Sequence, residues 1–182
     1  IVGIGAMFVS LQYLPLADTI AIAFVMPLLL LLLGYFVLGE HVGQKRLAAC
    51  VVGFAGTLLV VQPSFAEVGA PALLPLLVAV SFAGFMLVTR PIARRIDPIS
   101  LQIVSGLMGS VVLGIIYLAG SLTDWPAFST TLPNQFETVL LILISLLGTA
   151  AHLLMTWSLR LAPSTTLAPM QYLEIPVATL VG

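Results

Sequence analysis

Long uncharged apolar stretches constrain this chain more than any other feature. Residues 19–39, 47–66, 68–89, 98–123 and 138–159 each run for about 20 residues or more without Asp, Glu, Lys or Arg; about 20 apolar residues cross the roughly 30 Å hydrocarbon core of a bilayer. Residues 1–17 and 161–182 read as two further spans, short or cut. The expectation is an all-α membrane protein with about seven transmembrane helices. Composition points the same way, with 60% hydrophobic residues, 7% charged residues and a mean hydropathy of +1.20, whereas soluble domains carry about 25% charged residues. A soluble enzyme, a disordered tail and a nucleic-acid binder are thereby excluded, and a formal net charge of −1 leaves no polybasic surface. Cys50, the single cysteine, sits inside an apolar run and reads as a small buried hydrophobe.

The charges that remain are ordered. Lys45 and Arg46, then Arg90, Arg94 and Arg95, then Arg160 form three clusters, and alternating spans put all three on one side. The positive-inside rule makes that side cytoplasmic. The loops around Asp18, Glu67 and 124–137 hold no Lys or Arg and fall outside. Pro15 ends the first span, and Asp18 or Thr19 is expected to cap the next helix with a side-chain oxygen. The third span should end near Gln62 and Pro63; the fourth should descend from about Pro71, the fifth rise from Pro98, and the sixth start near Glu137. Trp125, Pro126 and Pro133 mark the longest loop.

An internal repeat is superposed on this order. A shift of about 148 residues lays Met7 on Met155, Ser10 on Ser158, Leu11 on Leu159, Pro15 on Pro163, Leu32 on Leu180 and Gly34 on Gly182. Asp18 then meets Thr166, each a helix-cap type, and Pro27 meets Pro176 within one residue. The Pro15 turn faces outside and the Pro163 turn faces the cytoplasm, so the copies are inverted across the membrane, the architecture by which many secondary transporters alternate access. The same offset predicts roughly two helices before Ile1 and one after Gly182, giving a parent of about 290 residues in ten helices, five plus five. Ile1 to Gly5 already read as helix interior, and no polar flank follows Leu180 and Val181, so the chain is expected to be an internal fragment.

The stretch PLLLLLLGYFVLGE over residues 27–40, its short basic loop and the glycines Gly53 and Gly56 resemble the second half of an EamA repeat of the drug/metabolite transporter superfamily. SLRLAPSTTLAPMQYLEIPVATLVG over residues 158–182 resembles the corresponding part of the second repeat. The resemblance implies residues 1–66 as the last three helices of the first repeat and 67–182 as the first four of a truncated second one. It further implies a ten-helix carrier of the inner (plasma) membrane with a central substrate cavity.

Few polar residues lie inside the spans. Glu174 is the only acid within one, read either as a proton or substrate-amine site or as an interhelical hydrogen-bonding group. His152 in the preceding span is expected to approach Glu174 or Gln171, the alternative being a histidine satisfied by a backbone carbonyl. Gln171 stands three residues before Glu174, on the same helix face. Trp157 and Tyr172 either line a cavity or belong to the interfacial aromatic belt. Gln12, Tyr13 and Gln102 are weaker cavity candidates. Pro27 and Pro176 should kink their helices, as hinges or as static bends. The small-residue stripes Ala49, Gly53, Thr57 and Gly106, Ser110, Gly114 should form close helix contacts. Glu40 is expected to pair with Lys45 or Arg46 across its loop, as a gate or as a solvated ion pair. Two distant histidines and one cysteine supply neither a metal site nor a catalytic triad, so no cofactor and no enzymatic activity are expected.

The favoured function is a secondary transporter that exports or exchanges a small organic metabolite, such as an amino acid, by alternating access. Nucleotide-sugar or phosphate-ester carriers of the same superfamily are the alternative within transport, disfavoured by the scarcity of intramembrane Lys and Arg. A membrane-embedded enzyme or a non-transporting receptor is the alternative outside it. The expected partners are the substrate and the lipid bilayer, with a homodimer left open.

Overall fold

The computed structural model describes residues 1–61, 69–122 and 132–181, which are mostly helical, with no strand among them. The turn at Gln62 and Pro63, the loop residues Glu67, Asp124, Trp125 and Pro126, and the boundary between 66 and 67 lie outside the described residues. The helices are α1 (Val2–Ser10), α2 (Leu16–Ala23), α3 (Met26–Leu38), α4 (Gln44–Val61), α5 (Leu73–Ala93), α6 (Pro98–Ser121), α7 (Gln135–Leu161), α8 (Ser164–Leu167) and α9 (Glu174–Val181). A 3-10 turn, Ala70–Ala72, leads into α5, and a 3-10 segment, Ala168–Leu173, joins α8 to α9. The chain is a multi-pass membrane protein. Among the described residues, four stretches are long and apolar enough to cross a bilayer: Leu16–Leu38, Ala70–Ala93, Pro98–Ser121 and Gln135–Leu161. The other three expected spans are the nine-residue α1, the 18-residue α4 and the broken run α8 to α9.

Two compact units make up the chain, one of residues 1–94 with 159–182, the other of residues 95–158. The first unit packs α1 and α2 on α5, and α3 between α5 and the α8 segment. Its closest approaches use glycine. A Cβ on Gly3 would lie 3.2 Å from Ser81 Cβ, and one on Gly34 would lie 2.8 Å from Thr165 Cγ2. Gly53 admits the ring of Tyr172, with which an added Cβ would overlap. Thr57, buried one turn later, donates to the Gly53 carbonyl at 3.0 Å. Gly53, the middle of the stripe Ala49, Gly53, Thr57, therefore makes the close contact that small-residue spacing predicts.

In the second unit, Asp97 caps α6 by accepting from the N–H groups of Ile99 and Ser100 at 3.0 and 3.4 Å. Asn134 and Glu137 close a reciprocal capping box on α7, at 2.9 and 2.8 Å. Ile103, Leu107, Val111 and Ile115 of α6 are exposed, the surface a lipid-facing helix presents. Nothing lies within 4 Å of a Cβ on Gly106 or Gly114, so the second small-residue stripe makes no close helix contact among the described residues.

Each of the two broken helices of the first unit starts from a proline. Pro15, with φ −54° and ψ 147°, precedes α2; Pro163, with φ −59° and ψ 144°, precedes α8. The N-cap residue of each helix is a proline, which offers no capping side chain, contrary to the expectation for Asp18, Thr19 and Thr166. The fixed φ of proline starts each helix immediately, which leaves those residues inside the first turns. Thr19 shares a 3.3 Å hydrogen bond with Ser10 instead, and the Thr166 hydroxyl is buried without a partner. The second span breaks at Phe24 and Val25, one turn before Pro27. Pro27 has no N–H to offer Ala23, and the Val25 N–H turns to Ile22 at 3.1 Å in a tighter winding. The corresponding break before Pro176 is the whole 3-10 segment Ala168–Leu173.

Candidate functional site

The two broken helices run antiparallel. Gly34 and Glu40, at the end of α3, lie against Ser164 and Thr165 at the start of α8, whereas Phe24, at the earlier break, meets Tyr172. Tyr172 donates its hydroxyl to the Phe24 carbonyl at 3.1 Å, and the two ring centroids are 6.1 Å apart. The unwound backbone supplies an acceptor that a continuous helix would have used internally. Tyr172 is 7% exposed and fills the space left by Gly53, so it is a packing residue of the crossing. It also edges a groove of about 470 Å³ beside Gly56, Thr57 and Pro176.

Glu174, the first residue of α9, lines a different cleft of about 390 Å³. Its neighbours include Gly3, Phe8, Phe24, Val78 and Phe82 from α1, α5 and the α2–α3 break, and all the other lining residues are apolar. The Glu174 side chain is exposed and has no hydrogen-bond or ion-pair partner among the described residues.

The other sequence candidates are placed as follows. Gln171 donates from Nε2 to the Met86 sulfur at 3.0 Å, its Oε1 is buried without a partner, and it does not line the Glu174 cleft. His152 and Trp157 belong to α7 within the second unit; Trp157 is 39% exposed, and the His152 carbonyl accepts from the Thr156 hydroxyl at 2.9 Å. Gln12 and Tyr13 are exposed, and Gln102 is half-buried. The sequence reading missed the three phenylalanines of the cleft, since nothing local distinguishes them from lipid-facing aromatics. The 148-residue offset does pair Phe24 with Tyr172, and that was the available signal.

A polar cluster closes the arginine-bearing end of the first unit. Gly39, with φ +64°, ends α3 in the left-handed conformation, and the Glu40 N–H returns to the Gly34 carbonyl at 3.0 Å. The chain then directs Glu40 inward. Its partner is Arg90 of α5, where Lys45 or Arg46 was expected. The same carboxylate accepts from the Ser164 hydroxyl at 2.7 Å and from the N–H groups of Thr165 and Ser164 at 2.9 and 3.2 Å. Glu40 thus takes up the free N–H groups at the start of α8, a place a short-loop pairing would leave unsatisfied. Arg90 donates to the Leu159 carbonyl at 2.8 Å and to that of Ala162, at the end of α7. Arg46 donates to Thr165 Oγ1 at 3.1 Å and to the His41 carbonyl at 2.9 Å. Burial alone would raise the Glu40 pKa. The hydrogen bonds from Thr165 and Ser164, with the Arg90 charge, outweigh it and hold the carboxyl below its ordinary value.

Residues 1–62 match the EamA-like transporter family. A riboflavin transporter of Rhizobium johnstonii is 26% identical over 99% of this chain and 57% of its own length. An S-adenosylmethionine uptake transporter of Rickettsia bellii is 24% identical over 94% of the chain and 56% of its own. An uncharacterized transporter of Helicobacter pylori is 26% identical, over 97% and 59%. The chain therefore spans less than two thirds of the length of these relatives. No solved structure matches it.

Proposed function

We propose that this chain, whose residues 1–62 match the EamA-like transporter family, forms part of a secondary carrier moving a small organic metabolite by alternating access. The observation that carries this reading is the contact between Phe24 and Tyr172. These residues correspond under the 148-residue offset, and residues that touch their own counterparts lie near the axis relating two copies. Antiparallel broken helices crossing at such a point are what inverted repeats produce, with substrate held near the break. The proposed parent has ten helices, five plus five, with residues 1–66 and 67–182 in successive repeats. Lys45, Arg46, Arg90, Arg94, Arg95 and Arg160 face the cytoplasm.

The Glu174 cleft is the proposed substrate site, transport rather than catalysis is its use, and amino acids or related amphipathic compounds are its cargo. Relatives named as a riboflavin transporter and an S-adenosylmethionine uptake transporter support extending the proposed cargo to compounds that join a ring system to a polar part. A phosphate-ester cargo is disfavoured because Arg90 is already engaged by Glu40 and two backbone carbonyls. Counterflow by the full-length protein in liposomes, with labelled riboflavin, S-adenosylmethionine and amino acids, tests the reading. At least one should accumulate against an unlabelled internal pool. Well-folded protein giving counterflow with none of them would refute it.

A further inference from the structure

We infer that the cleft beside Glu174 is a subsite for a compact monovalent cation, such as a primary ammonium group, borne on an apolar or aromatic body. This deepens the carrier reading and rests on it for the role of the ligand as cargo.

Three observations converge. The cleft, about 390 Å³, lies within the volume range of small-molecule sites and suits a single ring with a short side chain. Its one charged lining residue is a carboxylate without a partner among the described residues. The remaining lining offers no side-chain hydrogen-bond donor to an anion and no polar side chain to a neutral hydroxyl. A cation compensates the carboxylate directly; a neutral ligand leaves it uncompensated, and an anion is repelled. Phe8, Phe24 and Phe82 add aromatic faces, which attract cations and accommodate flat apolar groups. Phe24 is further held by its contact with Tyr172 and by the hydroxyl bond to its carbonyl, so this wall of the cleft is positioned before ligand arrives.

Titration of the full-length protein in nanodiscs with phenethylammonium, 2-phenylethanol and 3-phenylpropanoate tests the inference, since the three share a ring and differ in charge. The ammonium ion should bind at least about tenfold more tightly than the other two, a ratio equivalent to about 1.4 kcal/mol. Glu174→Gln should erase that ratio, Glu174→Asp should retain most of it, and Phe82→Leu should lower ammonium affinity several-fold. Thermal unfolding of each variant separates loss of the site from loss of the fold, and a destabilised Gln variant leaves the Asp and Leu variants to decide. Equal binding of the three probes, binding of none at millimolar concentration, or a preference that persists in Glu174→Gln would each overturn the inference. Counterflow that is blind to cargo charge would remove the cation subsite and leave the carrier standing. Charge-selective binding without counterflow of any metabolite would remove the carrier and leave the subsite.

Discussion

Replacing Glu40 by Gln keeps the size of the side chain and removes its charge, at a position where one carboxylate binds three donors besides Arg90. The side chains of Arg90 and Glu40 are only 13% and 9% exposed, so solvent does little to screen the loss. Hydrogen bonds to a charged group contribute about 1.5–3 kcal/mol each against about 1 for neutral ones. Removing one partner of a buried pair outright costs about 3–5 kcal/mol. Gln retains one acceptor oxygen, and Arg90 retains the carbonyls of Leu159 and Ala162, so about 2–3 kcal/mol is expected for Glu40→Gln and the full range for Glu40→Leu. The cluster joins the ends of α3 and α5 to the α7–α8 turn, and on the proposed mechanism it must part whenever this end opens. A loss of about 2–3 kcal/mol shifts such an equilibrium roughly 30- to 150-fold toward the open form.

The assay is labelling of Ala162→Cys, in a Cys50→Ala background, by a membrane-impermeant maleimide applied from the arginine-bearing side. Labelling should accelerate in Glu40→Gln and return toward the wild-type rate when substrate favours the closed form. The pH dependence has a fixed sign. The Glu40 pKa is lower in the folded protein, so its contribution is fully present above the unfolded carboxylate value of about 4.3 and is lost as pH falls through the depressed folded value. Wild-type thermal stability should therefore fall by this contribution only in that acid range, and the Gln variant should lack this component. Wild-type rates in Glu40→Gln at neutral pH, with an unchanged melting temperature, would refute the reasoning.

Three further outcomes follow from single contacts. Gly53→Ala drives a methyl group into the Tyr172 ring and should cost about 1–3 kcal/mol, read as a lower melting temperature in detergent. Tyr172→Phe removes the bond to the Phe24 carbonyl and should cost about 0.5–1.5 kcal/mol, with faster amide exchange around residues 24–29. Asp97→Ala deletes the α6 cap and should cost about 0.5–2 kcal/mol, measurable by denaturant unfolding; Asp97→Asn should lose far less.

The helices were legible where a local rule decides them. Pro98 at the start of α6, Glu137 in the first turn of α7 and the stripe at Gly53 follow from proline geometry, capping and small-residue spacing. Contacts decided by distant partners were not. Glu40 and Arg90 lie fifty positions apart, and no periodicity links them; local reasoning offered Lys45 and Arg46 because it sees only the loop. Tyr172 read as a cavity or belt residue because its partners, Gly53 and the Phe24 carbonyl, belong to other helices. Pro27 was recognised as a breaker but not the place of the break, which depends on how the chain re-pairs the carbonyl that proline leaves unmatched.

The offset that joins Phe24 to Tyr172 also lays Met26, the first residue of α3, on Glu174, the first residue of α9. Both half-helices restart at corresponding positions, and the prolines that follow, Pro27 and Pro176, differ by one step. The restart position is thus shared by the two arms while their chemistry is not: one begins with an apolar thioether, the other with a carboxylate. If inverted copies were chemically identical, they would create two equivalent sites on either side of the axis, and a ligand would have no preferred arm. A single charge breaks that equivalence. On the proposed carrier reading it would confine ligand recognition to the cleft of α1, α2 and α5 facing Glu174 and leave the Met26 arm to packing alone, so that rocking about the Phe24–Tyr172 contact would change access to one site without creating a second.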